Sequence, residues 1–522
     1  DYTVRPREGR MLKWIKGSKS QHPLADDKAA LAFIAELPPL DPYKSLEELC
    51  YWLDTLGGVE DLKPARILEI VDLIDQTAKN HQRKLSQDYL SGSARLQKFQ
   101  EIRIWNTVFA FWKQLADSYR MCLTRIQSGA GEWGALKDQM PMVVARALRA
   151  LTLQLKWQLL RYGPVEKRIW EQMGRLYAHA EESGYAGTPV VVYPGKFGES
   201  TVQREFLKGV MLNISSTDSL VPAKLEIAER IVAQFSEFCV MSRQPAKGCH
   251  YYFDLNEGNV PARVISRLQM TSGLRFFGPG SAVQELDKLL AIVKSDGVVP
   301  SNINLGETFD PKVALEALRH IVHYWAPNPP VRREERRNSV SRMSVVHDFD
   351  EIVSTVSGET QDLTFDSTVE VSTVENESEG GYGALMPQAT SDWLRVGTLL
   401  GVKLDDGASW GVGIVRRLSA YDHKQRYVGI QVLTKGATVV KLAAISAADD
   451  PELESALLLP SNTNGTGATN EMNFLLKPGA FSLQKSMEMR AYEHSYLLQP
   501  RMLMEGGHDF DMARFRVMRR SA

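Results

Sequence analysis

The sequence predicts an α+β multidomain chain, with an N-terminal all-α region, an α-rich middle lobe and a C-terminal antiparallel β-barrel that carries a β extension. Three observations predict it. Apolar residues recur at helical spacing through residue 185. Glycine and proline become denser between 186 and 326, where helical stretches alternate with irregular ones. Beyond the stiff Pro327-Asn328-Pro329-Pro330 segment the apolar period falls from about 3.6 to 2. The expected domains are 1–185 (helical), 186–326 (α-rich lobe), 327–445 (barrel) and 446–522 (β-rich extension).

In the first region Ile67, Ile70, Val71 and Ile74 share one helix face, as do Trp105, Val108, Trp112, Leu115 and Tyr119. Pro64 and Pro164 stand where helices begin, because the first turn has no use for an amide donor. The helix expected over 165–182 carries Trp170, Met173, Gly174 and Tyr177, spaced as in the opening of a tetratricopeptide repeat. No repeat period follows, so a plain bundle with close packing at Gly174 is the expectation. In the middle lobe helices are expected over 202–212, 223–241, 282–293 and 311–324, with one short strand at 250–254. After the linker, segments 367–374, 410–418, 427–433, 474–476 and 515–518 are short, β-branched and punctuated by turn residues, as in a barrel. Residues 461–469, SNTNGTGAT, form a polar low-complexity loop.

Composition excludes several functions. With 62 basic and 63 acidic residues the net charge is −1, so no global field holds nucleic acid or an anionic membrane, and any anion site must be local. Cys50, Cys122, Cys239 and Cys249 form no CxxC pair and point to neither zinc nor a disulfide framework, which suits a reducing cytoplasm. The most apolar stretch, 140–160, is broken by Arg146, Arg149 and Lys156 and reads as a packed helix, so no membrane span is expected. The opening DYTVRPREGR lacks an apolar core and does not read as a signal peptide. His320 and His323 lie three apart without further ligands, the glycine-rich 276–282 lacks the Lys-Ser/Thr of a phosphate loop, and no Gly-x-Ser-x-Gly occurs. The expectation is a binding protein, not an enzyme, with no metal and no cofactor.

Two polar motifs remain. Directly after the linker comes RREERR, residues 332–337, and some forty residues later NESEGG, residues 376–381. The first gives an Arg-x-x-x-Arg spacing as Arg333 with Arg337 or Arg332 with Arg336; the second supplies Asn376, Ser378, Gly380 and Gly381. A third segment, YVGIQVL at 427–433, is a late glycine-bearing strand. Taken alone, the first motif is a solvated charge run and the second a polar hairpin turn. In this order, ahead of and inside a β region, the three resemble the signatures of the PilZ domain over roughly 330–445.

That resemblance implies a PilZ-like antiparallel barrel and a ligand, cyclic di-GMP. Its two phosphodiester charges and two guanines suit guanidinium forks, which bond phosphate oxygens and the O6/N7 edge in pairs. By the same resemblance Asn376 pairs with a guanine edge, Ser378 reaches a phosphate or the backbone, and Gly381 lets backbone approach closely. The interval between the motifs is longer than the family pattern, and residues 343–366 are expected as an extra helix or a cover over the site. The implied protein is a cytoplasmic bacterial receptor that relays the signal to an unknown protein partner through its helical region, without nucleic acid. One alternative is a scaffold whose degenerate barrel binds protein. Another is a single-strand nucleic-acid binder, for which Tyr382, Trp393 and Arg395 would be the stacking set.

Overall fold

The computed structural model describes residues 22, 24–59, 62–92, 98–195, 198–305, 309–327, 337–358, 369–387, 393–421, 424–445, 453–460, 470–491 and 494–519. They divide into two compact units, one of residues 1–161, 165–217 and 222–330, the other of residues 162–164, 218–221 and 331–522. The N-terminal region and the middle lobe, expected separately, thus fall within one unit.

The first unit is mostly helical. Its first helices are α1 (Asp27–Glu36), α2 (Pro42–Thr55), α3 (Pro64–Gly92), α4 (Lys98–Ser128), α5 (Met140–Leu159) and α6 (Lys167–Glu182). Local signals set their starts: the Asp26 and Asp41 carboxylates accept from the amides of Ala29 and Lys44, and Pro42 and Pro64 each open a first turn. α4 packs on α5 and α2, and Trp112, Leu115 and Tyr119 are buried along it. On α6 the four residues of the repeat-like spacing are all buried, and a Cβ at Gly174 would stand 2.6 Å from the Leu255 carbonyl oxygen. The glycine serves close packing, as expected.

Further along come two short paired strands, β1 (Val190–Val191) and β2 (Glu199–Ser200), then α7 (Val202–Asn213) and α8 (Pro222–Phe235). A four-stranded antiparallel sheet follows, built from β3 (Val240–Ser242), β4 (Tyr251–Asp254), β5 (Ala262–Arg263) and β6 (Leu274–Gly278) in the order β3-β6-β4-β5. The helix expected to run to residue 241 stops at Phe235 instead. The Phe238 carbonyl accepts from the Ser281 amide at 3.2 Å, and pairing of β3 with β6 replaces the last helical turn. β6 is buried at every position, so it shows no alternation that a sequence pattern could reveal. α9 (Ala282–Asp296) and α10 (Pro311–Trp325) complete the unit. Among the described residues no helix is long and apolar enough to cross a membrane.

The second unit holds two closed six-stranded barrels. The first uses β7 (Arg337–Val346), β8 (Glu370–Ser378), β9 (Gly381–Pro387), β10 (Leu399–Leu404), β11 (Gly411–Ala420) and β12 (Gln425–Thr434), ordered β10-β11-β12-β9-β8-β7. The second uses β13 (Thr438–Ala444), β14 (Leu453–Leu459), β15 (Glu471–Leu476), β16 (Met487–Ala491), β17 (His494–Gly506) and β18 (Asp511–Arg519), ordered β13-β14-β15-β18-β17-β16. β13 lies inside the range expected for the first barrel, yet it pairs in the second.

Each barrel has its own core. Met343, Val345, Val374, Tyr382, Ala384, Leu400, Val428 and Ile430 fill the first, together with Tyr162 from the short upstream segment of this unit. Phe474, Leu498, Ala513 and Phe515 lie in the core of the second. A third cluster joins Val346, Leu399, Val412 and Ile414 of the first barrel to Leu457, Leu459, Leu475 and Phe510 of the second. Helix α11 (Phe349–Ser357) contributes Phe349, Ile352 and Val353 to that junction. The extra helix expected between the motifs is thus present, packed on β10, β13 and β14; residues 343–346 belong to β7 instead, and 359–366 lie outside the described residues.

Candidate functional site

Strand register brings the second motif against the first. β7 pairs with β8 so that Arg337 opposes Glu377 and Asn338 opposes Asn376. Across the next pairings Asn376 opposes Gly383, Gly383 opposes Gly429 and Gly429 opposes Arg417. One transverse row, Asn338-Asn376-Gly383-Gly429-Arg417, therefore crosses five strands. Since Tyr382, Ala384, Val428 and Ile430 lie in the core, their neighbours Gly383 and Gly429 face outward. The row crosses the outer face, with amides at one end and a guanidinium at the other; the two glycines between them make a trough whose floor is covered, by the Tyr427 hydroxyl and the Asn376 amide at Gly383 and by the Arg417 side chain at Gly429.

Bulges frame this row. Register shifts occur between Asn338 and Ser341 of β7, between Val374 and Asn376 of β8, and between Val415 and Arg417 of β11. Each bends its strand and re-aims the side chain beside it. Asn376 donates from Nδ2 to the Tyr427 hydroxyl at 3.1 Å, which fixes the rotation of its amide. Its Oδ1 is buried and has no hydrogen-bond partner among the described residues. A polar atom in that condition costs roughly 1–3 kcal/mol, so it is an acceptor held ready for a donor.

Gly383 explains how the amide fits. A Cβ at this position would overlap the Tyr427 hydroxyl and the Asn376 amide oxygen, so the three residues form one packed set. At Gly381 a Cβ would overlap the Ile430 carbonyl oxygen, which means that this glycine is demanded by the barrel's own strand contact. Ser378 donates from Oγ to the Gly381 carbonyl at 3.4 Å across the hairpin, and the Gly380 carbonyl accepts from the Val432 amide at 3.0 Å. These three residues shape the turn.

Two regions of the chain match known families. Residues 28–246 match the family described as cyclic-di-GMP receptor FimW, N-terminal domain, and residues 322–438 match that described as cyclic-di-GMP receptor FimW, middle PilZ domain. The chain belongs to this PilZ-domain receptor family. No curated protein and no solved structure matches it.

The PilZ match ends at 438, where β13 begins, so the second barrel lies beyond it. Of the expected PilZ arginines, Arg337 is exposed at the start of β7, while Arg332, Arg333 and Arg336 lie outside the described residues. Sequence reading does not single out Gly383 and Arg417, and it marks Tyr427 and Gly429 only as part of a late strand expected close to the nucleotide face. The segment 427–433 was already marked by its resemblance to a PilZ strand, but only register shows which of its residues stand beside Asn376. Arg417 also forms an ion pair with Asp218 at 3.8 Å. The stacking set of the nucleic-acid alternative does not assemble: Tyr382 is 6% exposed in the core, where burial pushes its hydroxyl pKa up, and Trp393 stacks on His347 and donates to Glu370. His320 contacts the Ser215 carbonyl at 2.7 Å, and no metal-binding cluster occurs among the described residues.

Proposed function

We propose that this chain binds cyclic di-GMP on the outer trough of its first barrel and relays the bound state to a protein partner through its helical region. Asn376 offers its Oδ1 and its remaining amide proton to a guanine edge, beside the Tyr427 hydroxyl that holds the amide over Gly383. Arg337 with Arg333, or Arg336 with Arg332, supplies paired donors to the phosphates, and Arg417 closes the other end. Ser378, Gly380 and Gly381 hold the turn that sets Asn376 in place. The protein acts as a cytoplasmic receptor and carries no catalytic set.

The observation that carries this reading is the buried Asn376 oxygen, without a hydrogen-bond partner among the described residues, beside Gly383 in a chain of the receptor family. Calorimetric titration of the full chain tests it. Arg333→Ala, Arg337→Ala and Asn376→Ala should each weaken binding about tenfold or more, the loss of one charged or buried hydrogen bond. Unchanged affinity in all three proteins, or no binding at all, would leave the barrel as a protein-interaction scaffold.

A further inference from the structure

The helical unit contains a pocket of about 200 Å³ that the barrel reading leaves unused. Its walls come from one face of each of three helices. Lys79, Gln82 and Arg83 stand at helical spacing on α3, Trp112 on α4, and Arg149, Lys156 and Trp157 on α5; Tyr193 and Arg230 close it. Five cations line the pocket and no carboxylate does.

The cations are held in place from behind. Lys156 donates to Glu226 at 2.9 Å and lies 3.6 Å from Glu229, Arg149 donates to Glu229 at 3.0 Å, and Arg230 donates to Glu226 at 3.0 Å. With buried Glu205 and its partner Lys208 also beside Arg149, four cations share three buried carboxylates, which leaves a surplus of positive charge on the wall. Lys79 adds to it from 3.6 Å above the Tyr193 ring, and Arg83 is exposed on the same face of α3.

A second observation is independent of charge. Gln82 is 5% exposed, and among the described residues neither its Oε1 nor its Nε2 has a hydrogen-bond partner. The Trp112 indole nitrogen, in a side chain 8% exposed, also has none. A buried primary amide and an indole N–H left unpaired on a cationic pocket wall are costly unless a ligand pairs them. Together they offer donors and one acceptor to the polar edge of a ring, in a pocket that Trp112 and Trp157 also line.

We propose that this pocket is a second ligand site, specific for a phosphomonoester on a small planar-ring body, the class of the nucleoside monophosphates. Lys79, Arg83 and Arg230 take the phosphate and Gln82 with Trp112 reads the ring edge. Its size is below the usual range for drug-sized ligands, about 300–1,000 Å³, so a cyclic dinucleotide is too large for it.

The test uses the full chain with GMP, AMP and inorganic phosphate as probes, by calorimetry and thermal shift. At least one nucleoside monophosphate should bind and raise the melting temperature, more strongly than phosphate alone. Arg83→Glu, at an exposed position that leaves folding intact, should weaken that binding about tenfold, the loss of one charge-assisted contact. Gln82→Leu should abolish the ligand-induced shift while the unliganded protein melts at the same temperature or higher, since an unpaired amide has been removed. Arg337→Ala should leave this binding unchanged. The proposal is overturned if no probe binds at millimolar concentration, if binding is indifferent to Arg83→Glu and Gln82→Leu, or if only Arg337→Ala removes it.

Discussion

Gly383→Ala is the sharpest perturbation of the barrel site, because it adds one methyl group where two polar atoms already meet. The new Cβ would overlap the Tyr427 hydroxyl and the Asn376 amide oxygen. Forcing a methylene into a packed place costs about 1–3 kcal/mol. Separating Asn376 from Tyr427 loses a further 1 kcal/mol or so for their hydrogen bond. The barrel should therefore lose roughly 2–4 kcal/mol in urea denaturation of the full chain. Affinity for cyclic di-GMP should fall at least tenfold or so, as the amide is displaced from the trough. Tyr427→Phe in the same chain removes the hydroxyl that the methyl strikes, so the double variant should recover part of the stability that Gly383→Ala loses, a coupling that a thermodynamic cycle measures. A Gly383→Ala protein as stable as the parent and with the same affinity would refute the packed Asn376-Gly383-Tyr427 set.

Three other outcomes are expected. Glu229 has its pKa held down to about 2 despite burial, by Arg149 first and then Lys156 and Arg230, against an unfolded value of 4.5. Its ionised form therefore adds stability above pH 4.5 that is lost as pH falls toward about 2, and Glu229→Gln should cost about 3 kcal/mol at neutral pH, with the gap to the parent closing over that acid window in denaturation midpoints. A chain ending at residue 437 loses Leu457, Leu459, Leu475 and Phe510 from the shared cluster; it should bind a hydrophobic dye and aggregate, whereas a soluble, dye-silent product would show that the first barrel needs no cover. Tyr162→Ala removes a ring from the first barrel's core and a hydroxyl that donates to the Leu220 carbonyl at 3.0 Å, so the melting transition should drop by about 3–5 kcal/mol in stability, and an unaltered transition would contradict that placement.

How far the sequence could be read depends on whether each feature is local. From α3 onward the helices of the first unit were legible from periodicity, and Pro64 marks the start of α3, whereas Pro164 stands ahead of α6, which begins at Lys167; β11, β12, β15 and β18 were legible from β-branched runs between turn residues. The strands β1, β3 and β5 were not, because two or three residues carry no period and owe their conformation to the strands they pair with. Helix α11 was only half visible: Asp348 has a φ of +73° and its side chain accepts from the Asp350 amide, so the helix begins there and Met343 to Val346 end a strand. At the site, Asn376, Ser378, Gly380 and Gly381 were all expected as ligand contacts, and Gly429 only within its strand. Gly383 and Arg417 were hidden, since only register across five strands places them in one row with Asn376.

The barrel unit takes in residues 162–164 and 218–221 as well as the chain from 331 onward. The Ala420 amide bonds the Tyr162 carbonyl at 2.7 Å, and the Tyr162 ring completes the interior. This barrel is therefore not a cassette. A gene segment cut at the proline linker would carry every strand yet lack part of the core. Recombination that shuffled such a segment into another protein would deliver an incomplete receptor. The helical sequence around residue 162 and the strands made more than 170 residues later must be inherited together.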